Sequence, residues 1–304
     1  MAVSPGPVAA RLERRGNTIG ALTPLALALV LASAGLHAGW NLFVKRDSDP
    51  VIAGWRTVVA GALVSAPALL LTGPPPVQVW TLIALSSAIH TLYGLSLATA
   101  YRHGDLSVVY PIARGLAPLL TTAGAAILLG ELLPLASWLL IALISAGLAA
   151  IGLSAARGSV AGAAALPWSG LTAITIASYT VLDKHAVQDV NPLAYGIALF
   201  IGNSVLYTLL LAWRRGPRAL ITAWNGRALD GIAGGLMSVG AYALVLAAFQ
   251  LGAAGYVAAL RESSILISLA LGRYRLGDDV KILRGAASVA VTAGLVLLGV
   301  LAVR

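Results

Sequence analysis

The stretch Ser107-Val-Val-Tyr-Pro-Ile-Ala-Arg114-Gly-Leu-Ala-Pro-Leu-Leu120 places an arginine in the middle of a long apolar run. A second run, Gly255-Tyr-Val-Ala-Ala-Leu-Arg261-Glu-Ser-Ser-Ile-Leu-Ile267, does the same with Arg261. A charged side chain at membrane depth costs at least about 2.5–3.5 kcal/mol on insertion scales, so it usually faces a cavity or a partner and indicates function. Both arginines are therefore candidate functional residues.

The composition around these runs is that of a membrane protein. The 304 residues are 59% hydrophobic and only 10% charged, whereas soluble domains carry about 25% charged residues. We therefore predict an all-α polytopic membrane protein whose surroundings are the lipid bilayer. The net charge of +9 resides in short loops and at span ends, which indicates no nucleic-acid partner. The chain has no cysteine, which excludes disulfides and thiolate metal sites.

Ten apolar segments are long enough to cross a bilayer, for which about 20 residues are needed. Turn-forming sequences separate them, such as Gly73-Pro-Pro-Pro76 after the second segment and Gly104-Asp105 before the fourth. Two G-x-x-x-G matches, Gly35 to Gly39 and Gly231 to Gly235, would allow close helix packing, although chance matches are expected in a glycine-rich chain. The predicted spans cover about 22–44, 51–72, 78–101, 106–129, 134–155, 167–188, 192–213, 229–250, 254–272 and 281–303.

Four sequence landmarks recur in the same order in the two halves of the chain. They are Ala38 to Arg46 with Ala177 to His185, Asp49-Pro50 with Asn191-Pro192, Arg114 with Arg261, and Leu129-Gly-Glu131 with Leu276-Gly-Asp278. Since each copy has five spans, an odd number, the second copy must lie inverted in the membrane, as in many transporters. We predict a polar tail over 1–21, a first five-helix repeat over 22–155, a connector over 156–166 and an inverted repeat over 167–303, around a central cavity.

These landmarks resemble the EamA type of the drug/metabolite transporter superfamily. The segments that carry the resemblance are His37 to Lys45, Val109 to Pro118, Leu128 to Glu131 and Ala259 to Ile265. The resemblance implies a ten-helix secondary transporter of the plasma membrane that works without cofactors. Relatives move amino acids, sugars and other small metabolites, often outward. The ninth span departs from the family pattern, because Arg273 and Arg275 lie where apolar and aromatic residues are usual.

The two arginines receive different predicted roles. An intramembrane arginine can bind a carboxylate with two parallel hydrogen bonds, so we predict Arg114 as a substrate-binding residue. Arg261, which has Glu262 beside it in the sequence, is predicted to be a gating or structural charge together with that acid. In the alternative interpretation, each arginine bonds backbone carbonyls or a nearby acid and holds helices together.

Further candidates follow from helical spacing. Aromatic rings with a few polar groups are typical of small-molecule cavities, whereas interhelical hydrogen bonding is the alternative for each. The predicted substrate-binding residues are His37, Trp40 and Asn41 on one helix face, His90 and Tyr93 on another, and the deeper tyrosines Tyr110, Tyr179 and Tyr242. Histidines this far apart do not indicate a metal site.

The charges at span ends have simpler interpretations. Lys45 and Lys184 lie at matching span ends, where they act either as gates or as helix anchors. Glu131 and Asp278 each precede a helix, where an acid complements the positive N-terminal end of the helix dipole.

The combined prediction is a secondary transporter that moves a small polar or amphipathic metabolite, such as an amino acid or sugar, by alternating access, with export slightly favoured. A small molecule is the expected partner, and the coupling ion or counter-substrate is left open. The alternative is an integral membrane enzyme acting on a lipid-linked substrate, although no H-E-x-x-H or G-x-S-x-G motif occurs. The Lys and Arg count puts both termini outside, against the family expectation, so orientation stays open.

Overall fold

In a computed structural model the chain is helical throughout the part that it describes, residues 21–45, 47–157, 160–265, 267 and 282–303. Within these residues the only β pairing is an isolated parallel bridge between Leu22 and Val303, where the two ends of the described chain meet. The all-α prediction is therefore confirmed.

The first half of the chain comprises helices α1 to α5, and the second half comprises α6 to α11. A 3₁₀ turn (Ala66–Ala68) and a last helical turn (Leu69–Thr72) prolong α2, and a 3₁₀ turn (Val77–Val79) leads into α3. The helices are α1 (Pro24–Lys45), α2 (Pro50–Ser65), α3 (Trp80–His103), α4 (Leu106–Leu129), α5 (Leu135–Ala156), α6 (Val160–Ala186), α7 (Pro192–Arg215), α8 (Pro217–Thr222), α9 (Ala228–Leu251), α10 (Ala254–Arg261) and α11 (Ile282–Ala302).

Seven helices in the described part of the chain are long and apolar enough to cross a membrane, namely α2 with its extension, α3, α4, α5, α6, α7 and α9. The other three predicted spans overlap α1, α10 and α11, and α10 accounts for only the first eight residues of the ninth. The ten-span count and the inverted relation of the halves stay predictions. The polar tail lies outside the described residues, except for its last residue, Ala21.

The repeated Asx-Pro landmark is a pair of equivalent helix starts. Asp49 Oδ1 accepts hydrogen bonds from the N–H groups of Val51 and Ile52, at 3.1 and 3.3 Å. Asn191 Oδ1 accepts in the same way from Leu193 and Ala194, at 3.0 and 3.1 Å. In each case a proline follows at the first helical position, where its fixed φ favours the helix and its missing N–H costs nothing. The landmark thus begins the second helix of each half.

Helix α4 ends at a glycine, and helix α6 begins earlier than the predicted sixth span. Helix α4 is continuous through Pro111 and Pro118, and it ends at Gly130, whose φ of 70° is readily adopted only by glycine. Helix α6 begins at Val160, inside residues 156–166, so most of the predicted connector is helical instead. Pro167, where the predicted sixth span begins, lies within this helix.

Apart from the α4–α5 contact within the first half, the main helix contacts join one half of the chain to the other. Helix α1 packs along α9, and α3 packs along α6. Likewise α2 packs against α9 and α7 against α3, while α5 packs against α11. The fold therefore depends on contacts between the halves, and any space left between them lies at their interface.

The closest approach of α2 and α9 depends on glycine. A Cβ atom on Gly235 would lie 2.9 Å from the Thr57 carbonyl oxygen and 2.9 Å from the Gly61 Cα atom. Both are backbone atoms, which cannot move without shifting the helix. The G-x-x-x-G match that ends at Gly235 is therefore a real helix contact.

Gly235→Ala is expected to destabilise the protein by about 1–3 kcal/mol, because overpacking forces backbone shifts. The measurement is the thermal unfolding midpoint of the purified protein in detergent. Gly35→Ala is the matched control, since nothing lies within 4 Å of a Cβ atom there. It should leave the midpoint unchanged or raise it, because alanine favours helix more than glycine does. Equal losses in both variants would argue against the contact.

Candidate functional site

A cavity of about 150 Å³ lies between the two halves of the chain. Helices α1, α2 and α3 line it from the first half, and α6, α7, α9 and α10 line it from the second. We call it the inter-half cavity. An apolar protein cavity of about 150 Å³ holds a benzene-sized molecule, so this conformation suits a small ligand. Its wall includes these predicted site residues: His37, Trp40, Asn41, His90, Tyr93, Tyr179, Tyr242 and Arg261.

Aromatic rings from three helices meet on one side of the cavity. The His90 ring stacks on Tyr179 with 3.9 Å between centroids, and it meets Tyr242 edge-on at 5.4 Å. Tyr93 approaches Tyr179 edge-on at 5.9 Å. His90 Nδ1 lies 2.9 Å from the Ser86 carbonyl oxygen, so this nitrogen donates and fixes the ring plane. The result is a rigid aromatic surface suited to a flat or apolar ligand group.

The α1 residues predicted to share a face form a hydrogen-bonded unit. Trp40 Nε1 donates to His37 Nδ1 at 3.2 Å, and Asn41 Nδ2 donates to the His37 carbonyl at 2.7 Å. Arg261 Nη2 lies 3.4 Å from the same His37 Nδ1. Since indole and guanidinium groups can only donate, His37 Nδ1 must be the acceptor and carries no proton in this arrangement. His37 thereby holds Arg261 in place.

Arg261 is the cation on the cavity wall. Its guanidinium carbon lies 5.9 Å from the centre of the Tyr242 ring, within the range of a cation–π interaction. Its Nε has no hydrogen-bond partner among the described residues. No carboxylate in the described part of the chain lies within 4.0 Å of it. The Arg261 guanidinium therefore retains donor capacity for a ligand.

Arg114 makes a different contact. Its Nε donates to Glu262 Oε2 at 3.0 Å, and both side chains are almost fully buried. The pair joins α4 to the end of α10, so Glu262 pairs across the halves and not with its neighbour Arg261. Arg114 does not line the inter-half cavity, nor does Tyr110, whose hydroxyl has no partner among the described residues. The contact matches the structural alternative, and a substrate role for Arg114 stays a prediction.

Lys184 and Glu131 connect the halves at one end of the helices. Lys184 Nζ lies 3.3 Å from Glu131 Oε1, and it donates to the carbonyls of Phe249 and Gly252. Glu131 Oε2 accepts from the Ala254 N–H at 2.7 Å. Glu131 thus complements the N-terminus of α10, in the other half, and not that of the helix that follows it in sequence. The Lys45 side chain and Asp278 lie outside the described residues.

One buried acid was not among the predicted site residues. Asp183 on α6 is fully buried. It accepts a hydrogen bond from the Tyr195 hydroxyl at 2.6 Å, and another from the Tyr242 hydroxyl. Tyr242 also lines the cavity, so Asp183 lies directly behind the wall. Its sequence signals were an acid near the end of a predicted span and a place in the repeated landmark, one residue before Lys184.

Outside the spans, the α1–α2 loop carries a second group of ion pairs. Asp47 Oδ2 accepts from Arg56 Nη2 at 2.6 Å, and the same arginine donates to the Ala223 carbonyl at 2.7 Å. Asp49 accepts from Arg215 at the end of α7. These contacts fix the loop against the second half.

Acidification is expected to weaken the Asp47 contact. Burial raises the pKa of Asp47, but the Asp49 N–H and the Arg56 guanidinium outweigh it, so the pKa is lowered. A group with a lowered folded pKa adds stability above its unfolded pKa of about 3.9 and loses it as the pH falls through the folded value. The thermal unfolding midpoint of wild type should therefore be higher than that of Asp47→Asn at about pH 5–7. The difference between the two midpoints should disappear below about pH 4. A difference that persists in acid would contradict the assignment.

Comparisons with known proteins agree with this architecture. Residues 164–300 match the EamA-like transporter family. No curated protein matches the chain significantly. A solved structure described only as "Crystal structure of protein" superposes with a TM-score of 0.67 at 17% identity, covering 91% of this chain and 97% of that one. At this identity the superposition shows a shared fold alone. The match over its second half supports membership of the drug/metabolite transporter superfamily, to which the EamA-like transporter family belongs.

Proposed function

We propose that this protein is a secondary transporter that carries a small polar or amphipathic metabolite across the plasma membrane by alternating access. The observation that carries the proposal is the inter-half cavity, with the guanidinium of Arg261 on its wall. A site between two halves opens to either side of the membrane when the halves rock against each other.

The packing of the helices supports an inverted duplication. Helix α1 packs along α9, and α6 packs along α3. In terms of the predicted repeats, the first span of each half packs along the third span of the other half. The matching helix starts at Asp49-Pro50 and Asn191-Pro192 agree with the same correspondence. A repeat over 22–155 and an inverted repeat over 167–303 account for both observations.

The chemistry of the wall favours a carboxylate-bearing substrate, such as an amino acid or related compound. Arg261 offers donors to a carboxylate. The rings of His90, Tyr93, Tyr179 and Tyr242 offer an apolar surface for the rest of the molecule. Export is slightly favoured over import, on the family resemblance alone.

Transport is tested by reconstituting the purified protein in liposomes. A thermal-shift screen against amino acids, sugars, nucleosides and organic acids selects compounds that raise the unfolding midpoint. Labelled forms of these compounds should then enter protein-containing liposomes faster than protein-free ones. Failure of every stabilising compound to cross faster than in protein-free liposomes would contradict the transporter proposal.

A further inference from the structure

We propose that Asp183 is a proton-binding site coupled to the inter-half cavity, so that a monocarboxylate anion and a proton occupy the protein together. The inference rests on the proposed function, because it assigns a substrate class and a coupled ion to the same cavity. It starts from two buried charges that have no ionic partner among the described residues.

The first is the Asp183 carboxylate. It is fully buried, and its hydrogen-bond donors include the neutral hydroxyls of Tyr195 and Tyr242. Among the described residues no lysine, arginine or histidine nitrogen lies within 4.0 Å of it. A buried charge without a partner is costly, and neutralisation by a proton relieves that cost.

The second is the Arg261 guanidinium, which has no carboxylate within the same distance in the described part of the chain. One side chain separates the two charges. The Tyr242 ring lies 5.9 Å from the guanidinium carbon, and its hydroxyl donates to Asp183. Asp183, Tyr242 and Arg261 therefore form a chain of contacts from behind the wall to the cavity.

Charge balance couples the two sites. Ionised Asp183 and Arg261 sum to zero, as do Arg114 and Glu262. When a monocarboxylate binds to Arg261, these four buried groups and the ligand together carry one excess negative charge. A low-dielectric interior penalises such a charge. A proton on Asp183 restores neutrality. Tyr242 can pass its hydroxyl proton to Asp183 Oδ2 while it receives another from a hydronium ion that enters the cavity from bulk solvent, which leaves Tyr242 neutral and releases one water molecule.

Other ionisable groups around α6 are less suited to this role. Glu262 is held by Arg114, and Lys184 is directed at Glu131. His90 is the main competitor, because its Nε2 remains open to a proton. The titratable or charged groups on the helices around Asp183 include His90 and Tyr93 on α3, Tyr110 and Arg114 on α4, Tyr195 on α7, Tyr242 on α9, Arg261 and Glu262 at α10, and Tyr179, Lys184 and His185 on α6 itself.

Benzoate is a suitable probe, because it combines one ring of the size that such a cavity holds with one carboxylate. Isothermal titration of the full-length protein in two buffers of different ionisation enthalpy counts the protons taken up on binding. Wild type should take up about one proton per benzoate, and affinity should fall about tenfold per pH unit between about pH 6 and 8, where benzoate stays ionised. Asp183→Asn should still bind benzoate, with little proton uptake and little pH dependence.

Several outcomes would overturn the proposal. They are no benzoate binding by wild type, binding without proton uptake, or proton uptake that survives in Asp183→Asn but disappears in His90→Gln. If a variant fails to fold, the wild-type titration still tests whether benzoate binding is accompanied by proton uptake. Binding with proton uptake but no transport in liposomes would instead contradict the transporter proposal and leave the proton site standing.

Discussion

Glu262→Ala is expected to lower the free energy of unfolding by about 3–5 kcal/mol, because it leaves Arg114 as a buried charge without a counter-ion. Arg114 Nη2 already lacks a partner among the described residues, and Arg114 Nε donates its hydrogen bond to Glu262. The measurement is the unfolding free energy of the purified protein, from a denaturant titration in mixed micelles.

A double variant separates a charge effect from a packing effect. Arg114→Met with Glu262→Leu removes both charges and keeps much of the volume. It should recover most of the stability lost in Glu262→Ala, since replacing a whole buried ion pair with apolar residues is often neutral or better. A double variant as unstable as the single one would show that the charge imbalance is not the cause.

Arg261→Gln is expected to weaken binding of a carboxylate ligand about ten- to hundredfold. A hydrogen bond to a charged group contributes about 1.5–3 kcal/mol, and each 1.4 kcal/mol is tenfold in Kd. The measurement is the benzoate Kd by isothermal titration. Arg102→Gln is the matched control, because it makes the same change at an exposed position near the end of α3. An unchanged Kd in Arg261→Gln would remove Arg261 from the binding site.

Much of the fold was predictable because apolar length and turn chemistry are local properties. Pro76, Gly130 and Asn191 each lie at the helix boundary that their chemistry predicts. The start of α6 at Val160 was not predictable, because a helix can accommodate a proline and Pro167 gave no sign of which case applied. Spacing along one helix was equally informative, since His37, Trp40 and Asn41 all line one cavity.

The partners of the charges were not predictable, because they depend on contacts between distant helices. Arg114 and Arg261 occupy matching sequence positions, yet one is ion-paired with Glu262 and the other lines the cavity. Glu131 complements a helix 123 residues away in sequence. The partners of Asp183 were equally unpredictable, because its tyrosine donors come from α7 and α9.

The most direct test of the central claim, that the inter-half cavity is a substrate site open in turn to both sides, uses cysteine labelling. The chain has no cysteine of its own, so Ser238→Cys on the cavity wall gives a single reactive thiol. The buried Ser145 on α5 supplies the unreactive control, Ser145→Cys. We expect a membrane-impermeant maleimide to label position 238 in both right-side-out and inside-out vesicles, with a transported ligand slowing the reaction. Labelling from one side only, or labelling at a rate that ligand does not change, would contradict the claim that the inter-half cavity is a substrate site open in turn to both sides.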